Sequence, residues 1–486
     1  MTASSSEPPT RTERTSQARL QMTPDAMRAF GYRIVDQLVQ HATELPGAPV
    51  LRLPDAAGAA LPTSLPQTGV GLPAALDLLD RHVWQAMMHL DHPRFFGFVP
   101  GPSNFVSAMA DALVAGLNPF AGTWLEASGC AQVELITIDW LRQICGLPDG
   151  AGGHFVTGGS AANLTGLAIA RRIRLDDDMT DAVVYCSDQT HASVQRALRL
   201  LGFPRHQLRT LESDAGFQLS LAELARAVAA DRQAGLRPFC VVANAGTTNT
   251  GAVDPLPALA DLCEREGLWL HIDGAYGAAA VLTDEGKRLL RGLERADSLA
   301  LDPHKWLFQP YECGTILVRD ARWLRQTFAM HAEYLEDTGQ PGGETNFFEE
   351  GLQLTRAFRA LKLWLSLQVF GIAAFRAATA HGMGLAALAE AALRATPPWE
   401  VVAPGALGII AFRYAPQELG AAATDALNQA LVHAMVEEGF AFVSSTALRG
   451  RTVLRMCTIN PRTTDDDIRG TVRRLGAHAR RLQRSL

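Results

Sequence analysis

The stretch FCVVANAGTTNTGAVDPLPALADLCEREGLWLHID, residues 239–273, decides the fold. Two short apolar runs, 239–245 and 268–273, bracket a segment, 256–266, whose apolar residues recur at helical spacing. A run that is apolar at nearly every position is a strand buried on both faces. A helix between two such strands is a crossover that leaves them parallel. The same texture extends in both directions. HFVT (154–157), AVVYCS (182–187), SLALD (298–302) and GTILVRD (314–320) are further β-rich runs, and 220–234 is a further helical pattern. The centre of the chain therefore reads as an α/β domain with a mostly parallel sheet. In such sheets ligands bind beyond the carboxyl ends of the strands.

The flanks read differently. Residues 24–45 carry a helical pattern (Met27, Phe30, Ile34, Leu38), followed by a loop rich in Pro, Gly and Ala from Pro46 to Pro73. Helical patterns return at 74–90, 105–117 and 130–146. Past 355 the chain is helical again. It then mixes strands (LGIIAFRY, FAFVSST, TVLRMCTI) with helices near 422–438 and 464–483, the pattern of a smaller α/β domain. The expected division is a disordered tail over 1–20, an N-terminal helical segment over 21–104, a large domain over 105–372 and a small C-terminal domain over 373–486.

Bulk properties narrow the function. The chain has 486 residues, 48% hydrophobic and 19% charged, with a formal net charge of −6. That gives material for one large core and a smaller one. The acidic balance and the absence of Lys/Arg blocks argue against a nucleic-acid surface. No stretch of about 18 uninterrupted apolar residues occurs, so no membrane span is expected. The polar start MTASSSEPPTRTERTSQ has no apolar core and does not read as a secretory signal. Seven scattered cysteines with no CxxC pair argue against zinc and a disulfide framework, and fit a reducing cytoplasm.

The residues just past each strand carry the chemistry. After HFVT come Gly158, Gly159 and Ser160, then a helix; small residues at such a turn let backbone N–H groups reach an anion such as a phosphate. The pattern is neither GxGxxG nor GxxxxGK[ST], which weakens a dinucleotide or Walker-type reading. After AVVYCS comes His191, able to stack on a flat ring or simply to cap a helix. Gly246, Thr247 and Thr248 offer hydroxyls at the same edge. Asp273 ends an apolar strand, where a carboxylate needs a cation or donors to stay ionised. LALDPHKWLF (299–308) brings Asp302, His304 and Lys305 to another strand end, and a lysine there has a lowered pKa if desolvated. Pyridoxal phosphate would use all of these at once: a phosphate, a flat ring, a pyridine nitrogen wanting an acid, and an aldehyde wanting an amine.

The blocks HPRFFGFVPGPSN, VELITIDWL, VTGGSAANLTGLAIARR, YCSDQTHASVQRA, NAGTTNTGAVDPL, LWLHIDGAYG, LDPHKWL and LTRAFRALKLWLSL occur in that order. In them the chain resembles the group II pyridoxal-phosphate-dependent decarboxylases, typified by aromatic-L-amino-acid decarboxylase, from roughly 90 to 375 and more weakly beyond. The resemblance implies a PLP-dependent transferase fold of type I: a large domain with a mostly parallel seven-stranded sheet, an N-terminal helical segment and a small C-terminal α/β domain. It also implies a homodimer with active sites at the subunit interface. By the same resemblance Lys305 is the Schiff-base lysine, His191 stacks on the cofactor ring, and Asp273 pairs with the pyridine nitrogen. Ala275 lies beneath the ring and Thr248 near its 3-hydroxyl. Gly159, Ser160 and His304 lie on the phosphate side, and Asp302 stands where the family places Asn or Asp. Phe98 and Pro100 fall where the family's substrate pocket begins.

One position departs from the animal members, whose mobile loop carries a tyrosine that protonates the substrate carbon. Here it falls on Phe347, or on Phe348 with a one-residue slip, and phenylalanine has no proton to give. In related plant enzymes a phenylalanine there is associated with aldehyde formation; Tyr334, upstream, is one candidate substitute for the donor.

The expected activity is that of a PLP-dependent carboxy-lyase acting on an L-amino acid with an aromatic or apolar side chain, suggested by Phe98 and Trp124, to give an amine. An arginine suited to an acidic substrate is not evident in the sequence. The rivals are a decarboxylation-dependent oxidative deaminase giving an aldehyde, another fold-type-I enzyme such as an aminotransferase, and a catalytically dead binding protein.

Overall fold

The computed structural model describes residues 20–51, 61–330 and 344–485. The expected tail and Tyr334 lie outside the described residues, apart from Leu20. The chain divides into two compact units between Pro49 and Val50. The described part of the first unit is dominated by the helix Pro24–Glu44. It opens on Pro24, and the Thr23 hydroxyl caps it by accepting from Ala26 N.

The second unit is built on a seven-stranded sheet. Its strands are β1 (Gly152–Val156), β2 (Ala182–Ser187), β3 (Leu208–Leu211), β4 (Arg237–Asn244), β5 (Trp269–Asp273), β6 (Ser298–Leu301) and β7 (Gly314–Val318). Their order across the sheet is β1-β7-β6-β5-β4-β2-β3. Neighbours from β6 to β3 are parallel, whereas β7 runs antiparallel to both β6 and β1. So β1, β2, β4, β5 and β6 all point the same way, and their carboxyl ends meet at one edge.

Both faces of this sheet are covered, which is why its strands are apolar at nearly every position. In β4, Val241 and Ala243 pack into one core with Leu270 and Ile272 of β5, while Cys240 and Val242 pack into another with Trp269. The crossover helix falls at Leu256–Glu266, as its spacing predicts, and ends on Gly267 in the left-handed region (φ 66). The strand β3 does not stand out as an apolar run: it is a four-residue edge strand whose residues are half-buried or exposed.

A second, antiparallel sheet in the C-terminal part has the order β10-β11-β9-β8, formed by β8 (Trp399–Ala406), β9 (Ile409–Tyr414), β10 (Ser444–Leu448) and β11 (Arg451–Cys457). The strand β8 is an addition to the expected elements. It contains Pro404, lies at the sheet edge and is irregular against β9. The helices Ala421–Glu438 and Asp465–Gln483 cover this sheet; the second opens on a capping box of Thr464 and Asp467.

The two sheets are joined by a long helix, Ala360–Arg394, kinked at Gly371 (φ 71). The boundary expected at 372–373 falls inside it, just past that kink. Although no membrane span is expected from uninterrupted apolar runs, this helix is long and apolar enough to cross a bilayer by composition. It also carries Lys362, paired with Asp111 at 2.7 Å, and buries Leu385, Ala389 and Leu393 in the C-terminal core.

Candidate active site

The strand ends converge on a cleft of about 570 Å³. It is lined by residues at or just beyond the carboxyl ends of β1, β2, β4, β5 and β6, and Lys305, His191, Asp273, Gly159, Ser160, Thr248, Ala275, Asp302, His304 and Phe98 are among the lining residues. Residues as far apart in the chain as Gly158 and Lys305 are thereby held at one sheet edge.

Lys305 lies four residues beyond β6, its side chain 25% exposed, with Nζ 3.0 Å from Oδ2 of Asp302. Burial pulls its ammonium pKa down, but the carboxylates of Asp302 and Asp273 reverse that, and it stands above the usual lysine value. This corrects the lowered pKa expected from desolvation alone. The sequence holds only three lysines, Lys287, Lys305 and Lys362, and Lys362 is committed to Asp111. Asp302 is itself buried, and its Oδ1 has no hydrogen-bond partner.

His304 accepts from Cys313 N on Nδ1 (3.1 Å), which leaves the proton on Nε2, 3.5 Å from Asp302 Oδ2. Burial lowers its pKa to about 4, so the ring is neutral. It packs against the turn: a Cβ on Gly158 would stand 2.9 Å from His304 Cε1. A Cβ on Gly159 would stand 2.8 Å from Asp302 Oδ2 and 3.0 Å from Ala275 Cβ. Only glycine fits at either place. From this turn the helix Gly159–Leu175 begins with no side-chain cap, so its first N–H groups face the cleft.

His191 is both things the sequence allows. It caps the helix Ala192–Leu200, its Nδ1 accepting from Ser193 N, and it lines the cleft. Asp273 is buried, accepting from Asn163 Nδ2 (2.8 Å) on Oδ2 and from Ala275 N (3.1 Å) on Oδ1.

Some expected residues are not brought to this cleft. Pro100 is buried and does not line it. Trp124 is elsewhere, its backbone N donating to Asn346 Oδ1. Phe347 is 1% exposed in a short turn, Phe347–Glu349, with its ring 4.7 Å from the Arg356 guanidinium. That guanidinium forms a buried ion pair with Glu134 at 2.6 Å. A ring packed on this pair is a core element, not a side chain reaching into the cleft; Phe348 is also buried.

Other residues line the cleft unforeseen. Asn163 stands beside Asp273 and Ser193 beside Asn163, and Asn244 holds the loop ends by bonding Ser187, Thr190 and Asp254. Arg455, from β11, supplies the arginine that the sequence does not reveal. It is buried and donates to the carbonyls of Phe98 and Thr248, each at 2.7 Å, with Nε unpartnered. It thus braces Phe98, which sits at a left-handed φ of 50.

A phosphate cradle too tight for side chains, a neutral histidine beside it, a lysine across from it, and a donor-held carboxylate on the neighbouring strand together fit pyridoxal phosphate. Lys305 would hold its aldehyde, Asp273 its ring nitrogen and the Gly158–Ser160 turn its phosphate.

Residues 54–415 match the family model of the pyridoxal-dependent decarboxylase conserved domain. The chain is 48% identical over 453 residues to an aromatic-L-amino-acid decarboxylase of Bacillus atrophaeus, covering 92% of this chain and 94% of that one. It is 29% identical to a phenylacetaldehyde synthase of Arabidopsis thaliana, covering 92% and 94%. Among solved structures it is similar to Oryza sativa TDC with PLP and tryptamine, with a TM-score of 0.89, 28% identity, and coverage of 95% and 99%. The chain belongs to the pyridoxal-dependent decarboxylase family, and is a fold-type-I, PLP-dependent amino-acid carboxy-lyase that forms amines.

Proposed function

We propose that the substrate is an aromatic L-amino acid and that Lys305, Asp273 and His191 carry the reaction. The observation behind this is the convergence of those side chains with the glycine turn on one cleft. When bound, the cofactor supplies a ring that accepts the electrons of the breaking bond between Cα and the carboxylate. Lys305 would present the amine that holds the cofactor. Asp273, held by two donors, would keep a proton on the pyridine nitrogen. His191 would cover one face of the bound ring and Ala275 would leave room beneath it. Phe98 borders the substrate side, its aromatic face half open to solvent and packed near Phe442. The relatives that act on aromatic amino acids support the substrate class.

The active form is read as a homodimer in the cytoplasm. Phe105, Leu113 and Leu117 on the helix Phe105–Leu117, with Val369 and Phe370 near the Gly371 kink, are exposed apolar residues on two helices that pack together. Apolar surface of this kind is suited to a second copy. All seven cysteines are free, as a reducing compartment favours.

Product analysis against the twenty common amino acids tests the reading. Equimolar CO₂ and amine from tryptophan, tyrosine or phenylalanine is the expected result. Turnover confined to glutamate would show that Arg455 selects an acidic side chain and would overturn it. Aldehyde with peroxide in place of amine would favour the oxidative rival.

A further inference from the structure

We propose that Asn163 is a positioning residue for the cofactor ring: its amide is locked in one orientation by His271, so that one N–H fixes Asp273 and the other, through Ser193, fixes His191. This rests on the assignment of Asp273 and His191 given above. The observation is a chain of buried hydrogen bonds. Asn163 Nδ2 lies 2.8 Å from Asp273 Oδ2 and 2.9 Å from Ser193 Oγ, and Ser193 Oγ lies 2.8 Å from His191 Nδ1. Asn163 Oδ1 lies 2.9 Å from His271 Nε2, His271 Nδ1 lies 2.7 Å from Ser298 Oγ, and Trp269 Nε1 lies 2.8 Å from the same oxygen. Asn163, His271, Ser298 and Trp269 are each at most 1% exposed.

Every proton in this chain is fixed by its neighbours. An ionised Asp273 only accepts, so Asn163 must turn its NH₂ toward it and its oxygen toward His271. That oxygen needs a donor, so the His271 proton sits on Nε2. A neutral ring then has a bare Nδ1, which accepts the Ser298 hydroxyl, and Ser298 in turn accepts the indole N–H. Burial keeps His271 neutral, lowering its pKa to about 4 against the pull of Asp273. The opposite amide orientation would set two oxygens against each other at Asp273 and leave an N–H facing an N–H at His271.

The backbone is shaped for the contact. His271 and Asp273 are two apart in β5 and so share a face. Gly166, one turn past Asn163 in the helix Gly159–Leu175, lets the imidazole approach: a Cβ there would stand 2.7 Å from His271 Cε1. One amide thus ties Asp273 to His191, and so would set the plane of a bound ring relative to both.

The test uses the full-length holoenzyme and three variants. In ¹⁵N-histidine NMR, His271 should be a single neutral tautomer with Nε2 protonated between about pH 6 and 8. A dominant Nδ1–H form would overturn the assignment. His271→Phe should lower kcat about two- to tenfold, the worth of one hydrogen bond between neutral groups, with KM changed less than about twofold. It should also alter the visible circular dichroism of bound PLP, which reports ring tilt and which a loss of global stability would not move. His271→Gln, which restores an N–H toward Asn163, should recover most of both. Gly166→Ala removes no polar group and adds a better helix former, yet should shift the same dichroism by displacing the imidazole. If folded His271→Phe and Gly166→Ala both keep wild-type dichroism and kcat, the inference is wrong while the decarboxylase reading stands. If the wild type binds no PLP, both fall together.

Discussion

Replacing Asp302 by Asn tests how the protein sets the state of its reactive amine. Asp302 Oδ2 lies 3.0 Å from Lys305 Nζ, with the aspartate side chain 1% exposed and the lysine 25%. Two unit charges at that separation attract by about 1.4 kcal/mol in bulk water and about 5.5 kcal/mol at an effective dielectric of about 20. Those limits correspond to roughly one to four pK units. Because Lys305 is partly open to solvent, the lower half applies, about one to two units. The sign follows from the balance at the site: burial already disfavours the ammonium, and Asp302 is the largest contribution opposing it. With Asn in its place the hydrogen bond survives but the charge does not, so the Lys305 pKa falls. Asn has nearly the shape and volume of Asp, so the variant should fold. Trace acetylation of the cofactor-free protein from pH 6 to 11, quantified by mass spectrometry, reads each of the three lysines separately. The Lys305 midpoint should drop by about one to two units while exposed Lys287 stays put. A Lys305 midpoint that is unchanged or higher would refute the electrostatic account.

Three further outcomes follow from the same structure. Phe347→Tyr puts a hydroxyl into a buried site beside Arg356 and should destabilise by about 1–3 kcal/mol without altering the amine-to-aldehyde ratio; a changed ratio would put this side chain at the reacting carbon. Arg356→Met strands Glu134, which is 0% exposed, and should cost about 3–5 kcal/mol in denaturant unfolding; adding Glu134→Gln should recover part of that loss. Burial raises the Glu350 carboxyl to about 7, so the folded state holds a proton that the unfolded chain releases near pH 4.5. Relative to Glu350→Gln, the wild type should therefore lose up to about 3 kcal/mol between pH 4.5 and 8, and equal losses in both proteins would contradict it.

Much of this site was legible because parallel strands place chemistry at their ends. Gly159, His191, Asp273 and Lys305 each follow an apolar run, so one rule locates all of them. What escaped was whatever lacked a local pattern. The strand β3 is short and half exposed, and β8 holds a proline. Arg455 reaches the cleft from β11, with no signal in its own neighbourhood tying it to residues 98 and 248. The packing of Phe347 was not legible, because counting along a chain does not reveal that a ring lies on an ion pair. His271 could have been found: a polar residue inside an apolar strand, two before the acid, must share its face. The chain's three lysines are likewise countable in its sequence, and that number alone narrows the Schiff-base candidates.

The central claim is that Lys305 anchors pyridoxal phosphate for decarboxylation, and borohydride reduction of the holoenzyme tests it most directly. The account predicts a visible absorption band that reduction abolishes, one pyridoxyl group per chain, and that group on the peptide containing Lys305. A pyridoxyl group on Lys287 or Lys362, or a protein with no band and no label, would contradict it.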